Sequence, residues 1–128
     1  MKALIVDDSR ASRLMLRRIL TIIGFEVAEA GDGREALTYL QTHVDTQLAL
    51  VDWNMPEMNG LELVQAVRQD TRLDHLRLMM VTTETDVGHI ERALLAGANE
   101  YVMKPFSRDS IEEKLRLLGV RDGAIHAG

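Results

Sequence analysis

The chain has 128 residues, of which 46% are hydrophobic and 27% are charged, and its formal net charge at pH 7 is −5. This length suits one domain with one sizeable core. The negative net charge argues against a nucleic-acid partner, and the absence of cysteine excludes a disulfide framework and thiolate metal ligands.

The first part of the chain predicts a strand, a helix and a second strand. An apolar run at 2–7 predicts the first strand, and helical spacing of apolar residues predicts a helix over 10–23, with Gly24 as its stop signal. Residues 25–29 alternate apolar and polar positions, as expected of an edge strand half exposed to water. The apolar residues of this helix include Leu14, Met15, Ile19, Ile22 and Ile23.

The remaining chain repeats the strand–helix pattern. Asp32, with Glu35 three positions later, predicts a capping box for a helix at 33–41. Further strands are predicted at 47–52, 77–82 and 99–103, and further helices at 61–69, 87–96 and 108–118. On the fourth of the five helices, Val87, Ile90 and Leu94 lie on one side.

Five strand–helix units with short connections predict a doubly wound, three-layer α/β fold with a parallel sheet. Because the second strand is amphipathic and the first, third and fourth are wholly apolar, we place the second at an edge. This agrees with the flavodoxin-like (β/α)5 strand order 2-1-3-4-5. We predict one domain over 1–118 and a short C-terminal tail over 119–128, which has no periodicity.

Five polar residues lie just past the ends of the apolar runs: Asp7, Asp8, Asp52, Thr82 and Lys104. The ligand site of a parallel sheet lies at the carboxyl ends of its strands, so we expect these residues to form one cluster. Carboxylates about 4 Å apart repel by roughly 4 kcal/mol at an effective dielectric of 20, which favours binding of a proton or a hard cation such as Mg²⁺. A carboxylate nucleophile, Mg²⁺ and a lysine together indicate phosphoryl transfer to aspartate.

Four segments resemble the motifs of receiver domains of two-component response regulators, and in particular those of single-domain, chemotaxis-type (CheY-like) receivers. These segments are VDDSR at 6–10, VDWNMPEMNG at 51–60, VTTE at 81–84 and YVMKPF at 101–106. All four occur in the family's order and spacing. The resemblance therefore extends over nearly the whole chain.

The resemblance implies a role for each residue of the cluster. Asp52 would be the phosphoacceptor and, together with Asp7 and Asp8, would hold Mg²⁺, Asp8 directly and Asp7 through water. Lys104 would pair with Asp52 at rest and with the phosphoryl group afterwards. Thr82 would donate its hydroxyl to a phosphoryl oxygen.

The resemblance also implies residues that tune the site. The backbone carbonyl of Asn54 would bind the metal, and the side chains of Asn54 and Glu84 would flank the water that hydrolyses the acyl phosphate. Tyr101 would swing inward after phosphorylation, and the Lys104–Pro105 bond would be cis. Thr83 stands where many receivers carry a smaller residue, and its side chain could narrow access to Asp52.

The implied partners are a sensor histidine kinase or a histidine phosphotransfer protein, and an output protein at the face formed by the fourth and fifth helices. Arg10, Arg13 and Arg17 share one face of the first helix, with Arg18 adjacent. That face is either solvated or a docking surface for an acidic patch on the phosphodonor. We predict a cytoplasmic location and no membrane partner, because no apolar run approaches the roughly 20 residues that span a bilayer and the N-terminus lacks signal-peptide features.

Other interpretations remain. The chain could be a receiver fragment of a larger regulator, a phosphate sink that drains a shared kinase, or an aspartyl-phosphate phosphatase of the haloacid dehalogenase type. The phosphatase class expects a second aspartate two positions after the nucleophile, where this chain has Asn54. We also predict that Trp53 is partly exposed beside the site and that the histidines are surface residues without metal-ligand spacing, namely His43, His75, His89 and His126.

Overall fold

The computed structural model describes residues 1–83, 87–121 and 124–125. The strands are β1 (Lys2–Val6), β2 (Glu26–Ala30), β3 (Leu48–Asp52), β4 (Arg77–Thr82) and β5 (Glu100–Met103). The helices are α1 (Arg10–Ile23), α2 (Gly33–Thr42), α3 (Gly60–Arg68), α4 (Val87–Ala96) and α5 (Arg108–Leu117), with a short 3-10 helix at Thr71–Leu73. After α5, β6 (Val120–Arg121) and β7 (Ala124–Ile125) form a short antiparallel pair.

The five main strands form one parallel sheet in the order β2-β1-β3-β4-β5. This confirms the predicted fold and the edge position of the second strand. Every residue of β3 is buried, whereas Glu26 to Glu29 of β2 are partly or fully exposed. This difference in burial follows from the positions of the strands in the sheet, because a central strand is covered by helices on both faces.

Two apolar clusters cover the two faces of the sheet. Leu4 and Val51 belong to the cluster shared with α2, α3 and α4, while Ile5 and Leu50 belong to the cluster shared with α1 and α5. Alternate residues of one strand thus enter different layers. Val120 is fully buried in the second cluster, so apolar packing continues past α5. The domain boundary after residue 118 stays a prediction.

The ends of α1 agree with the sequence signals. The Ser9 side chain accepts a hydrogen bond from the Ser12 backbone N–H at the start of the helix, and Gly24 follows its end with φ 121°. A left-handed φ favours glycine at this stop. The buried face, however, comprises Leu16, Leu20 and Ile23. Several apolar residues that supported the helix prediction are instead exposed: Leu14, Met15 and Ile22.

The predicted capping box of α2 forms only in part. Asp32 accepts a hydrogen bond from the Glu35 backbone N–H, but the Glu35 carboxylate accepts from Gly31 instead of Asp32. A complete capping box occurs at the start of α3, where Asn59 and Glu62 bind each other's backbone N–H groups. This box fixes the helix that follows the loop after β3.

The apolar side predicted for α4 is only partly covered. Ala93 is its most deeply buried described residue, whereas Leu94 is 41% exposed and Leu95 is 88% exposed. Leu95 thus lies on the outer surface of α4, whereas Leu94 is partly exposed and also lines a small cavity between α4 and the sheet.

Candidate functional site

The strands bring the predicted site residues to one edge of the sheet. Asp52 is the last residue of β3 and Thr82 is the last of β4, while Asp7 and Lys104 follow β1 and β5 directly. These four strands are consecutive neighbours in the sheet. Gly60 allows α3 to begin close to this edge, because a Cβ atom there would lie 2.7 Å from the Asp52 carbonyl oxygen. The loop after β3 is therefore folded tightly beside the site.

Three carboxylates form the centre of the site. Asp7, Asp8 and Asp52 each offer an oxygen, and these oxygens lie within 4.8 Å of one another. Asp7 and Asp52 are buried, whereas Asp8 is exposed. The Ser9 backbone N–H donates to Asp7 Oδ1 at 2.8 Å, which fixes the Asp7 carboxylate at the start of α1. The acidic cluster predicted from the sequence is present in the fold.

Lys104 lies between two of these carboxylates. Its Nζ is 3.3 Å from Asp7 Oδ2 and 3.6 Å from Asp52 Oδ1, so the predicted resting pair with Asp52 is shared with Asp7. The Lys104 backbone N–H donates to the Thr82 carbonyl at 2.8 Å, which ties the end of β5 to the end of β4. The Lys104–Pro105 peptide bond is cis.

The Asp52 carboxyl has a pKa raised to about 6. Burial is the main cause, and the negative charge of Asp7 raises the pKa further, with a smaller effect from Asp8; Lys104 opposes these effects. One ammonium thus does not neutralise three clustered carboxylates. An additional cation would relieve this repulsion.

The donor set fits Mg²⁺. Carboxylate oxygens from Asp7, Asp8 and Asp52 are hard ligands, and Mg²⁺ binds through one or two carboxylates while retaining several waters. Asp8 and Asn54 also line an open depression beside the cluster, together with Pro56. Its openness leaves room for water and for a phosphoryl group.

A small apolar cavity lies next to the cluster, between the sheet and α4. Thr82 and Tyr101 line it together with Trp53 and His89. Thr82 is buried and Tyr101 is half-buried, whereas Thr83 is exposed. The structure thus brings Thr82 and Tyr101, from the neighbouring strands β4 and β5, to the lining of one cavity.

The predicted partial exposure of Trp53 is wrong. Trp53 is 8% exposed, and its ring stacks on His89 with 4.9 Å between centroids and 19° between planes. The sequence pattern did not single out His89, because its contact joins the residue after β3 to α4, 36 positions along the chain, and no local periodicity indicates such a contact. His89 is half-buried and not a surface residue.

The other predicted residues lie outside the cluster or outside the described chain. His43 is half-buried and stacks on Tyr39, whereas His75 is exposed and its Nε2 is 3.0 Å from the Thr46 carbonyl oxygen. The tuning residue Glu84 and the histidine His126 lie outside the described residues.

The arginines of α1 divide into two pairs. Arg13 and Arg17 each donate to a different oxygen of Glu29 on β2, at 3.0 and 2.6 Å. Arg13 also donates to the Asp7 carbonyl at 2.7 Å, which anchors α1 beside the acidic cluster. Arg10 and Arg18 are exposed. Of the four arginines, Arg13 and Arg17 therefore anchor the helix, whereas Arg10 and Arg18 are open to solvent.

Comparison with known proteins identifies the class to which this fold and site belong. Residues 3–116 match the family described as the response regulator receiver domain, so the chain belongs to that family. It is 44% identical to the chemotaxis protein CheY1 of Helicobacter pylori over 124 residues, which cover 95% of this chain and 100% of the relative. It is also 44% identical to the chemotaxis protein CheY of Pseudomonas aeruginosa over 116 residues, covering 90% of this chain and 93% of the relative.

Solved structures give the same result. Chemotaxis response regulator CheY4 of Vibrio cholerae aligns with a TM-score of 0.85 and 36% identity, covering 91% of this chain and 97% of that one. A probable two-component response regulator/GGDEF domain protein aligns with a TM-score of 0.84 and 32% identity, but the match covers 48% of that longer chain. The chain is thus a CheY-type receiver, as the motifs indicated. No helix in the described ranges is long and apolar enough to cross a membrane.

Proposed function

We propose that the chain is the phosphoacceptor switch of a two-component phosphorelay, with Asp52 as the acceptor. The observation that supports this most directly is the setting of Asp52, a buried carboxylate that shares its strand-end cluster with Asp7, Asp8 and the Lys104 ammonium. With a pKa of about 6, Asp52 is mostly ionised at neutral pH and can act as a nucleophile.

In the proposed reaction, an Asp52 oxygen attacks the phosphorus of a phosphohistidine in line, and the phosphorus–nitrogen bond breaks. Asp7, Asp8, Asp52 and the Asn54 carbonyl would hold Mg²⁺, which when bound neutralises the acids and the phosphoryl oxygens. Lys104 neutralises another phosphoryl oxygen, and Thr82 donates its hydroxyl. Water later hydrolyses the acyl phosphate, which returns Asp52 to its resting state.

Labelling with acetyl phosphate tests this proposal. Intact mass spectrometry is expected to detect one added phosphoryl group on the wild type in the presence of Mg²⁺, and none with a chelator. Asp52→Asn should abolish labelling, whereas Asp45→Asn should not, because Asp45 is exposed and pairs with Lys2 instead of the cluster. Undiminished labelling of the Asp52→Asn variant would rule out the assignment. Sustained hydrolysis of an aryl phosphate would favour a phosphatase instead.

For output, we propose a protein partner at the face formed by α4 and α5. Apolar side chains that lack cover there support this, namely Leu94 and Leu95 of α4 and Leu117 of α5, which is 68% exposed. A pull-down with and without beryllofluoride tests the proposal, with Asp52→Asn as the control. A partner retained only by the activated wild type supports output through protein contact. Retention that does not depend on beryllofluoride contradicts it, and no retained partner favours a phosphate sink.

For the phosphodonor, we propose docking at the open side of α1. Arg10 and Arg18 are exposed there, next to the exposed apolar side chains of Leu14 and Met15. Arg18→Glu should slow phosphotransfer from the cognate kinase and leave labelling by acetyl phosphate unchanged. Arg92→Glu makes the same charge change at an exposed position of α4, on the other face of the sheet, and is the matched control. Equal kinase rates for both variants and the wild type would exclude this surface.

A further inference from the structure

Tyr101 is held at the edge of the apolar cavity by an ion pair between β5 and α5. Lys114 Nζ lies 4.4 Å from the centroid of the Tyr101 ring and 3.2 Å from Glu100 Oε1. The same Glu100 oxygen accepts a hydrogen bond of 3.0 Å from the Tyr101 backbone N–H. The Lys114 and Glu100 side chains are 25% and 20% exposed. One partly buried ion pair therefore contacts both the ring and the backbone of Tyr101.

The position of the cavity makes this contact relevant to the switch. Trp53, just after β3, lines the cavity together with residues of β4, α4 and β5, and these include Glu100; Lys114, by contrast, lies on α5 and is not a lining residue. A Tyr101 ring that turned towards Thr82, on the cavity side, would move away from the Lys114 ammonium. The cation–π contact therefore stabilises the present ring position against the inward one.

We propose that Lys114 and Glu100 are positioning residues that set the resting orientation of Tyr101 and, with it, the balance between resting and activated protein. This inference rests on the proposed function and on the inward movement of Tyr101 that the family resemblance implies, because the orientation of Tyr101 matters only if it changes on phosphorylation of Asp52. A partly exposed cation–π contact shifts a two-state equilibrium by about two- to fivefold. Loss of the contact raises the apparent affinity of an activating ligand by the same factor when the activated state is sparsely populated.

The affinity for beryllofluoride, measured with Mg²⁺ present, tests the inference. Trp53 is the single tryptophan of the chain and directly follows Asp52, so its fluorescence can follow the titration. Lys114→Met should bind beryllofluoride about two- to fivefold more tightly than the wild type. Lys114→Arg keeps a cation over the ring and should restore wild-type affinity. Glu100→Gln should tighten binding by a smaller factor, because the amide oxygen still accepts from the Tyr101 N–H.

The controls separate an effect on the orientation of Tyr101 from the effects of a lost charge and of a less stable fold. Lys2→Met removes the same charge at a site remote from Tyr101, in the exposed pair with Asp45, and should leave the affinity unchanged. The loss of a positive charge alone would weaken anion binding, which is opposite in sign to the expected effect of Lys114→Met. Urea unfolding tests for a purely structural role of Lys114. In that case Lys114→Met would lower the urea midpoint without tightening beryllofluoride binding.

The possible outcomes are distinct. Wild-type affinity in Lys114→Met, weaker binding, or an equal change in Lys2→Met would each overturn the role of Lys114. A wild type that binds beryllofluoride and is labelled by acetyl phosphate would still support the proposed function in those cases. A wild type that shows neither property would overturn both proposals.

Discussion

Replacement of Asp52 by asparagine should stabilise the metal-free protein at neutral pH. The pKa of Asp52 is raised from 3.8 to about 6, chiefly by burial and then by the charge of Asp7. Asparagine has nearly the same shape but carries no charge, so the variant avoids the burial of an ionised group and its repulsion by Asp7 and Asp8. The loss of the contact with Lys104 is already part of this net balance.

The sign and size of the effect follow from proton linkage. Because its pKa is higher in the folded state, folded protein binds more protons at Asp52 than unfolded protein between pH 3.8 and about 6. The stability of the wild type therefore falls as pH rises through this window. A shift of this size corresponds to about 3 kcal/mol at about pH 7.5, and to about 1 kcal/mol at about pH 4.5.

Urea denaturation with a chelator present, at both pH values, measures this difference for wild type and Asp52→Asn. The variant should be more stable at both values, with the larger gain at the higher pH. Added Mg²⁺ should narrow the gap, because it stabilises the folded wild type by binding. Asp45→Asn is the matched control and should not stabilise the protein at neutral pH, since Lys2 lowers the pKa of Asp45. A gain that did not change with pH, or no gain, would refute the reasoning.

Three further substitutions test other features. Glu57 has φ 67°, a left-handed conformation that is strained for a residue with a side chain. Glu57→Gly should therefore raise the free energy of unfolding by about 1 kcal/mol, and a lower urea midpoint would contradict this strain. Arg68 donates hydrogen bonds to the carbonyls of Leu73, Leu76 and Gly97. Arg68→Leu should therefore lower the free energy of unfolding, measured in urea, by about 2–4 kcal/mol. A smaller loss than that of the exposed control Arg10→Leu would show that these hydrogen bonds are dispensable. Thr83→Ala should increase the labelling rate with acetyl phosphate, and equal rates would remove Thr83 as a barrier to the phosphodonor.

The fold and the central cluster were predictable because local signals agreed with each other. Apolar runs located all five strands of the main sheet, and the amphipathic second run identified its edge. The strand order then placed Asp7, Asp52 and Lys104 together, since all three lie at or just past the carboxyl ends of strands. Periodicity was sufficient wherever an element had one dominant apolar face.

The errors arose where tertiary packing, and not sequence periodicity, determines which side chains are buried. On α1 two overlapping sets of apolar residues fit a helix, and only tertiary contacts select Leu16 and Leu20 over Met15 for burial. The stack of Trp53 on His89 likewise depends on how α4 lies against the sheet. Such contacts join distant positions, so a single sequence contains no local signal for them.

The two pairs of arginines on α1 have a consequence for how related signalling pathways stay separate in one cell. Arg13 and Arg17 are committed to Glu29 and hold the helix beside Asp7, whereas Arg18 has no part in that anchor. The anchored side keeps the chemistry constant, and the open side can change its sequence without moving the acidic residues. If the open side docks the phosphodonor as proposed, duplicated genes for such a chain can diverge in the kinase that they recognise while each retains the acidic cluster.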